Sequence, residues 1–282
     1  MINKCYWIKR FKDIKTLRLD RDSVEISKLQ SNSKLSTQNS KLTNMKVDIL
    51  AFAAHPDDIE LSASGTIMHH ISLGKTVAIV DLTQGELGSR GTIETRYSEA
   101  ADASSIMGVS ARVNLKLADG FFEQNETSLR LIIEQIRHFQ PEIVLANAID
   151  DRHPDHGKAA KLVSEACFLA GLRKIETTYQ GENQTAHRPK AVYHYIQDQF
   201  MQPDFVVDVT PFIDRKIEAI KAFKTQFYDP NSTEPTTPIS GEEFFDFIKG
   251  RMLQFGRPIG VKYAEGFTVE RTIGVVNFSD LS

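Results

Sequence analysis

Cysteine is almost missing from this chain. Cys5 and Cys167 are the only two in 282 residues, too few for a disulfide framework and suited to a reducing, cytoplasmic setting. A long apolar run is missing as well. Nothing after the N-terminal charges has the length of a secretory segment or a membrane span, so no membrane partner is expected. Neither sign of charge dominates. With 34 Lys and Arg against 37 Asp and Glu, the net charge is −3, which argues against nucleic acid as a partner. Internal repeats and interdomain linkers are absent from the pattern, and 41% hydrophobic with 25% charged residues is ordinary globular composition.

The first 44 residues stand apart. They hold ten Lys or Arg against four Asp or Glu and then run into Ser, Asn, Lys and Gln. They read as a basic extension, helical at most over 5–15 and otherwise disordered; Met45 is an alternative start. A basic membrane-surface helix fits less well, because the apolar face is short. Residues 45–282 read as one domain.

From Met45 onward, strands and helices alternate. Strands are expected over 46–54, 76–83, 111–117 and 142–148, with helices over 59–75, 94–108 and 128–139 and from near His156 to Ala170. The strands are apolar on both faces, as a helix-covered parallel sheet requires. The expected fold is therefore α/β: a single-domain, Rossmann-like, open and mostly parallel sheet covered by helices on both faces. Further along, strands are expected at 191–197 and 205–210, helices at 211–227 and 242–256, and an edge strand at 275–278. The Pro- and Thr-rich stretch 228–241 reads more as an inert surface loop than as a pocket wall.

Two stretches stand out, FAAHPDDIE at 52–60 and IDDRHPDHGK at 149–158. Each follows the carboxyl end of a strand and opens a helix, the rim where open α/β sheets bind ligands. His55 and Asp58 are three residues apart, as are His153 and His156, with Pro154 stiffening the second turn. Imidazole and carboxylate donors suit zinc or another divalent first-row ion. Two histidines and one carboxylate would leave a position open for water, the arrangement of a catalytic site. The doubled aspartate then divides its labour: one carboxylate binds metal while its neighbour serves as general base, and a free histidine stabilises an oxyanion or donates a proton. An aspartate before a helix is otherwise commonly just a cap. His69, His70, His138, His187 and His194 read as surface or packing residues, and Cys167 as buried filler.

AHPDDIE at 54–60 followed by HPDH at 153–156 resembles the LmbE-like, or PIG-L, N-deacetylase family. The likeness extends through DLTQGELGSRGTIETRYSEA at 81–100, IMGVSARVNLKLADG at 106–120 and GVKYAEGF at 260–267. Within the family it is most similar to the bacillithiol-biosynthesis deacetylases of the first type. That resemblance implies zinc held by His55, Asp58 and His156, with ferrous iron as the alternative ion. It implies Asp57 as general base and His153 as oxyanion support or proton donor. Arg96 contacts substrate in this reading, and Asp155 orients a histidine or shapes the loop. Arg90 and Arg152 flank the same rim and are candidates to hold an anionic substrate. The implied reaction removes acetate from an N-acetylglucosamine unit, in this branch N-acetylglucosaminyl malate, whose two carboxylates call for a cationic pocket. Another N-acetyl sugar or a small non-sugar amide is the alternative substrate. A homo-oligomer, with hexamers among the assemblies, is also implied, and GVKYAEGF is either a subunit contact or part of the pocket. A nucleotide-binding module of the same fold class would need a glycine fingerprint directly after the first strand, and FAAHPDD has none.

Overall fold

The structure, a computed structural model, describes residues 45–281; the helix and disorder expected within 1–44 lie outside the described residues. In chain order the elements are β1 (Ile49–Ala53), α1 (Asp58–Ser62), α2 (Ser64–Ser72), β2 (Val77–Thr83), α3 (Ile93–Met107), β3 (Ala111–Leu117), α4 (Glu126–Phe139), β4 (Ile143–Ala146), α5 (Pro154–Ala170), β5 (Thr178–Tyr179), β6 (Glu182–Asn183), β7 (Ala191–Tyr195), β8 (Phe205–Asp208), α6 (Ile213–Lys221), α7 (Glu243–Gly256) and β9 (Ala264–Val269). Seven strands form one sheet in the order β3-β2-β1-β4-β7-β9-β8. The pairs from β3 to β7 are parallel, and β9 runs antiparallel to both β7 and β8. The mostly parallel α/β sheet expected from the alternation is what forms.

Side-chain alternation along β1 explains why both faces are covered. Leu50 and Phe52 point into a core shared with Ile132 and Ile136 of α4 and Leu162 and Val163 of α5. Ile49, Ala51 and Ala53 point the other way, into a core with Ile59, Ile67 and Met68 of α1 and α2 and Ala219 of α6. α3 is capped at both ends: Thr92 accepts from the amide of Thr95 at its start, and Gly108 closes it in the left-handed conformation.

The single helix expected over 59–75 is two. It breaks at Ala63 (φ −134°, ψ 2°), and two charges held beneath the break sustain it. Glu265 of β9 accepts from the amides of Gly65 (3.0 Å) and Thr66 (2.7 Å), which open α2. Lys216 of α6 donates to the carbonyls of Glu60 (3.0 Å) and Leu61 (2.8 Å), which end α1, and to Glu265 Oε1 (2.7 Å). Groups orphaned at the two helix ends are thus satisfied. Gly65 is needed there, since a Cβ would stand 2.7 Å from that of Val209.

The helix expected over 211–227 begins as a 3-10 turn at Thr210–Phe212 and ends at Lys221. Beyond it Thr225 is drawn off to Glu99, giving its amide (2.7 Å) and its hydroxyl (2.8 Å) to that carboxylate. The expected edge strand at 275–278 does not form. A strand lies earlier instead: β9 begins within GVKYAEGF and runs on to Val269, with Ala264 to Phe267 buried. Glu265 and Gly266 disguise it, one paired with Lys216 and the other packed under the Phe255 ring.

Candidate metal and active site

The strand order reverses direction between β1 and β4. The helices after β1 cover one face, and the helix after β4 covers the other. The two exits therefore diverge and leave a crevice between them, the usual ligand position in open α/β sheets. His55, Asp57 and Asp58 leave β1 into this crevice; His153, Asp155 and His156 enter it from the start of α5, where His153 is the N-cap and Pro154 the first helical residue.

Asp58 is pinned from several sides. Its Oδ2 accepts from the His55 amide (2.9 Å) and from Asn147 Nδ2 (2.9 Å), and its Oδ1 accepts from Gln197 Nε2 (3.1 Å). His156 Nε2 stands 3.1 Å from Oδ1, and His55 Nδ1 stands 3.8 Å from Oδ2. Burial opposes its charge, but these neighbours, His156 foremost, hold it well below the usual carboxylate range. Asp57 sits in a different setting. Its φ of 125° is costly for a residue with a Cβ. It is buried, and burial pushes its carboxyl up to about 7 against the pull of Arg96.

Hydrogen bonds separate the histidines by tautomer. His156 Nδ1 lies 2.6 Å from Asp151 Oδ2, and His55 Nε2 lies 3.0 Å from Asp119 Oδ1. A carboxylate keeps the proton on the nitrogen facing it and leaves the lone pair on the other. In the neutral rings, the form that a metal ion requires, the lone pairs fall on His156 Nε2 and His55 Nδ1, the two nitrogens that flank Asp58. His153 is reversed. Its Nδ1 accepts the Asp155 amide at 3.3 Å, so the neutral ring carries its proton on Nε2 and is a donor. Donor atoms of His55, His153 and His156 fall within 4.8 Å of one another. Asp58 stands beside two of these rings, and imidazole with carboxylate donors suits a divalent first-row ion. Burial works against charge on both flanking histidines, yet the carboxylates prevail. His55 is raised to about 10 by Asp119 and Asp155, and His156 to about 9 by Asp58 and Asp151.

Asp119 and Asp151, the carboxylates that orient the two rings, escaped sequence reasoning. Each follows the end of a strand; Asp151 even lies within IDDRHPDHGK, but nothing in the sequence singles out either side chain as the partner of a histidine. Asp155 takes a related position: Oδ2 is 3.6 Å from His55 Nε2 and accepts the Gly120 amide at 2.7 Å, and Oδ1 accepts from Lys158 (3.0 Å).

The three arginines divide. Arg96 lines the cleft but is buried, donating to the Pro56 carbonyl (2.9 Å), to Asp57 (3.2 Å) and to Gln226. Arg152 lies at the exposed rim, its Nε 2.6 Å from Asp198. Arg90 corrects the expectation: it does not line the cleft, but is buried and donates to Ser232 (2.7 Å), tying the 85–92 loop to the 228–241 loop. That second loop is no inert surface either, because Thr237, Pro238 and Ile239 form part of the cleft wall. The cleft measures about 320 Å³ and is walled further by Phe244, Ile248 and Arg251 of α7.

The family described as PIG-L, GlcNAc-PI de-N-acetylase, matches residues 50–167. The chain is 26% identical over 245 residues to the diacetylchitobiose deacetylase of Thermococcus kodakarensis, covering 83% of this chain and 87% of that one. It is 32% identical over 130 residues to the uncharacterized deacetylase YaiS of Escherichia coli, covering 44% of this chain and 70% of that one. Among solved structures, the conserved protein TT1542 from Thermus thermophilus superposes with a TM-score of 0.73 at 33% identity, covering 82% of this chain and 98% of that one.

Proposed function

The chain belongs to the PIG-L (LmbE-like) deacetylase family, and from that premise we propose that it hydrolyses the acetamide of an N-acetylglucosamine conjugate, releasing acetate and the free amine. The observation that carries the reading is the division of the crevice groups: two imidazole lone pairs and one carboxylate converge, while Asp57 and the Nε2–H of His153 remain uncommitted to that convergence. His55, Asp58 and His156 would hold a divalent ion, zinc or alternatively ferrous iron, which would supply Lewis-acid chemistry there.

The chain's own groups divide the remaining work. Asp57, with a carboxyl near neutrality, takes the proton of the attacking water. His153 donates an Nε2–H hydrogen bond toward the carbonyl oxygen as charge develops there, and the proton taken up by Asp57 passes to the departing nitrogen. Asp119, Asp151 and Asp155 hold the rings in the productive tautomers. Arg96 holds Asp57, and the apolar α7 wall excludes water.

N-acetylglucosaminyl malate, as in bacillithiol biosynthesis, is the substrate we favour. The motif resemblance supports it, as does the cationic rim at Arg152. The decisive assay is acetate release by the metal-loaded full chain from that conjugate, beside N-acetylglucosamine and diacetylchitobiose, with Asp57→Asn as the blank. Turnover of the malate conjugate well above the other two supports the reading. Preference for diacetylchitobiose moves the substrate to oligosaccharides, and turnover of none of the three overturns the sugar assignment.

A further inference from the structure

We propose that the side-chain amides of Asn147 and Gln197 are positioning groups that close one oxygen of Asp58 to a metal ion, so that Asp58 binds through Oδ1 alone and the ion keeps a position open. The proposal rests on the metal-dependent deacetylase reading and names two residues that serve it from behind the ligands.

Strand register brings the two amides together. β4 and β7 run parallel, and their ladder ends at Ala146 and His194. Asn147 and Ala148 lie just past that end on one strand, and Gln197 just past the end of the other. Side chains continue the pairing where the backbone ladder stops. Gln197 Oε1 accepts from Asn147 Nδ2 (2.9 Å) and from the Ala148 amide (3.1 Å). His194 Nδ1 donates to the backbone carbonyl of Asn147 (2.8 Å) and holds it from the far side. Asn147 and Gln197 are both buried, so water does not compete for these bonds.

The same bonds decide which way each amide faces. Two donors point at Gln197 Oε1, so its Nε2 turns to Asp58 and donates to Oδ1 (3.1 Å). Asn147 Nδ2 gives one proton to Gln197 and the other to Asp58 Oδ2 (2.9 Å). Reversing Asn147 would set its oxygen against a carboxylate and a second amide oxygen. The observed orientation leaves Asn147 Oδ1 buried with no hydrogen-bond partner among the described residues. A buried acceptor left without a donor calls for a reason, and the need for both protons on the opposite side of the amide is one.

The acceptor sites of Asp58 can then be counted. An ionised carboxylate offers about four, two on each oxygen. Oδ2 accepts from the His55 amide (2.9 Å) as well as from Asn147, which fills it. Oδ1 accepts from Gln197 and keeps one site, with His156 Nε2 standing 3.1 Å away. Two ligand atoms bound to one tetrahedral zinc at about 2.0 Å stand about 3.3 Å apart, so the spacing suits an ion shared by Oδ1 and His156. Without either amide the carboxylate is free to turn and chelate through both oxygens. A second oxygen on the ion would take the position that a catalytic site leaves open.

The first test uses the wild type, as a crystal structure of the zinc-loaded full chain. Zinc on Oδ1, with Oδ2 still held by Asn147 and the His55 amide, is the expected result, and zinc on both oxygens overturns the proposal. The second test replaces each amide by an apolar side chain of similar size, Asn147→Leu and Gln197→Met, in cobalt-loaded protein. Each variant should gain a ligand, so the visible absorption of the cobalt should weaken relative to wild type. With zinc, kcat for N-acetylglucosamine should fall by about 10- to 100-fold, with a smaller change in KM. A cobalt spectrum unchanged in both variants overturns the role given to the amides, and if neither variant folds the wild-type structure decides. Zinc on Oδ1 alone in a chain that turns over no acetylated sugar removes the deacetylase reading and leaves this one standing. Turnover with both oxygens on the zinc does the reverse.

Discussion

Nη1 of Arg96 lies 3.2 Å from Oδ2 of Asp57, and both side chains are buried. The pair is also tied through the backbone, because the same nitrogen donates to the carbonyl of Pro56 at 2.9 Å. Arg96 thereby holds Asp57 in a backbone conformation an aspartate rarely adopts. Burial pushes the carboxyl up to about 7, and Arg96 is the foremost influence against it. Removing the guanidinium should raise the carboxyl further, so less of it is ionised at neutral pH. The acid limb of the kcat/KM profile of Arg96→Met should therefore move to higher pH. A limb that stays in place while the rate falls uniformly would show that Arg96 acts elsewhere, as in direct substrate contact.

Asp57 and His156 should separate on metal content. Asp57→Asn keeps the side-chain shape and removes the base, so turnover should fall by about 100- to 10,000-fold with the ion retained. His156→Ala removes a proposed ligand, so the ion should go with the activity. Elemental analysis of the purified variants reads the difference, and equal metal loss in both would reverse the roles given to Asp57 and Asp58.

How far these groups could be seen in advance depended on how local their signals are. His55, Asp57, Asp58, His153 and His156 sit in two short runs at strand exits, and the fold brings those runs together. The alternation of apolar strands with helices made the sheet legible for the same reason. Asp119 and Asp151 were not legible, since their partners lie 64 and 5 residues away and one carboxylate in a loop looks like any other. Glu265 and Lys216 misled in the opposite direction. Each reads as surface, yet they bond to each other in the interior and break a helix that local periodicity would have continued. Arg90 was drawn to the site by proximity in sequence, while its side chain turns toward Ser232.

Orientation of the rings by Asp119 and Asp151 yields its own prediction. Asp151→Asn and Asp119→Asn should each weaken metal binding by about 10- to 100-fold without removing a ligand. Competition with a calibrated chelator measures this. A loss confined to turnover, with affinity intact, would mean that the carboxylates act on the reaction and not on the ion.

Metal uptake should release protons. In the ion-free chain His55 is raised to about 10 and His156 to about 9 by their carboxylates, so both rings are charged at pH 7. The stabilisation these pairs give the ion-free fold is complete below about 6.5, the unfolded histidine value, and is lost as pH rises through 9 to 10. Binding a cation requires neutral rings, so affinity should fall as pH falls, with proton release near pH 7. Calorimetry in buffers of different ionisation enthalpy counts those protons. A count of zero at pH 7 would mean that the rings are already neutral and that Asp119 and Asp151 exert less hold than their distances imply.

The ion pair beneath the helix break sets a stability prediction that bears on the site. Lys216 and Glu265 are both nearly inaccessible and 2.7 Å apart. Lys216→Met removes one charge and leaves Glu265 buried among amides alone, a change that should cost about 3–5 kcal/mol, read from the urea unfolding midpoint. The carbonyls of Glu60 and Leu61 lose their donor at the same time, so the end of α1 should loosen. α1 begins at Asp58, and its one-turn length leaves little to resist such loosening. Metal affinity of Lys216→Met should therefore fall along with stability, even though its side chain contacts none of the proposed ligands. A destabilised variant with undiminished affinity would show that Asp58 is held by Asn147, Gln197 and the His55 amide alone, and that the break in the helix serves packing and not the site.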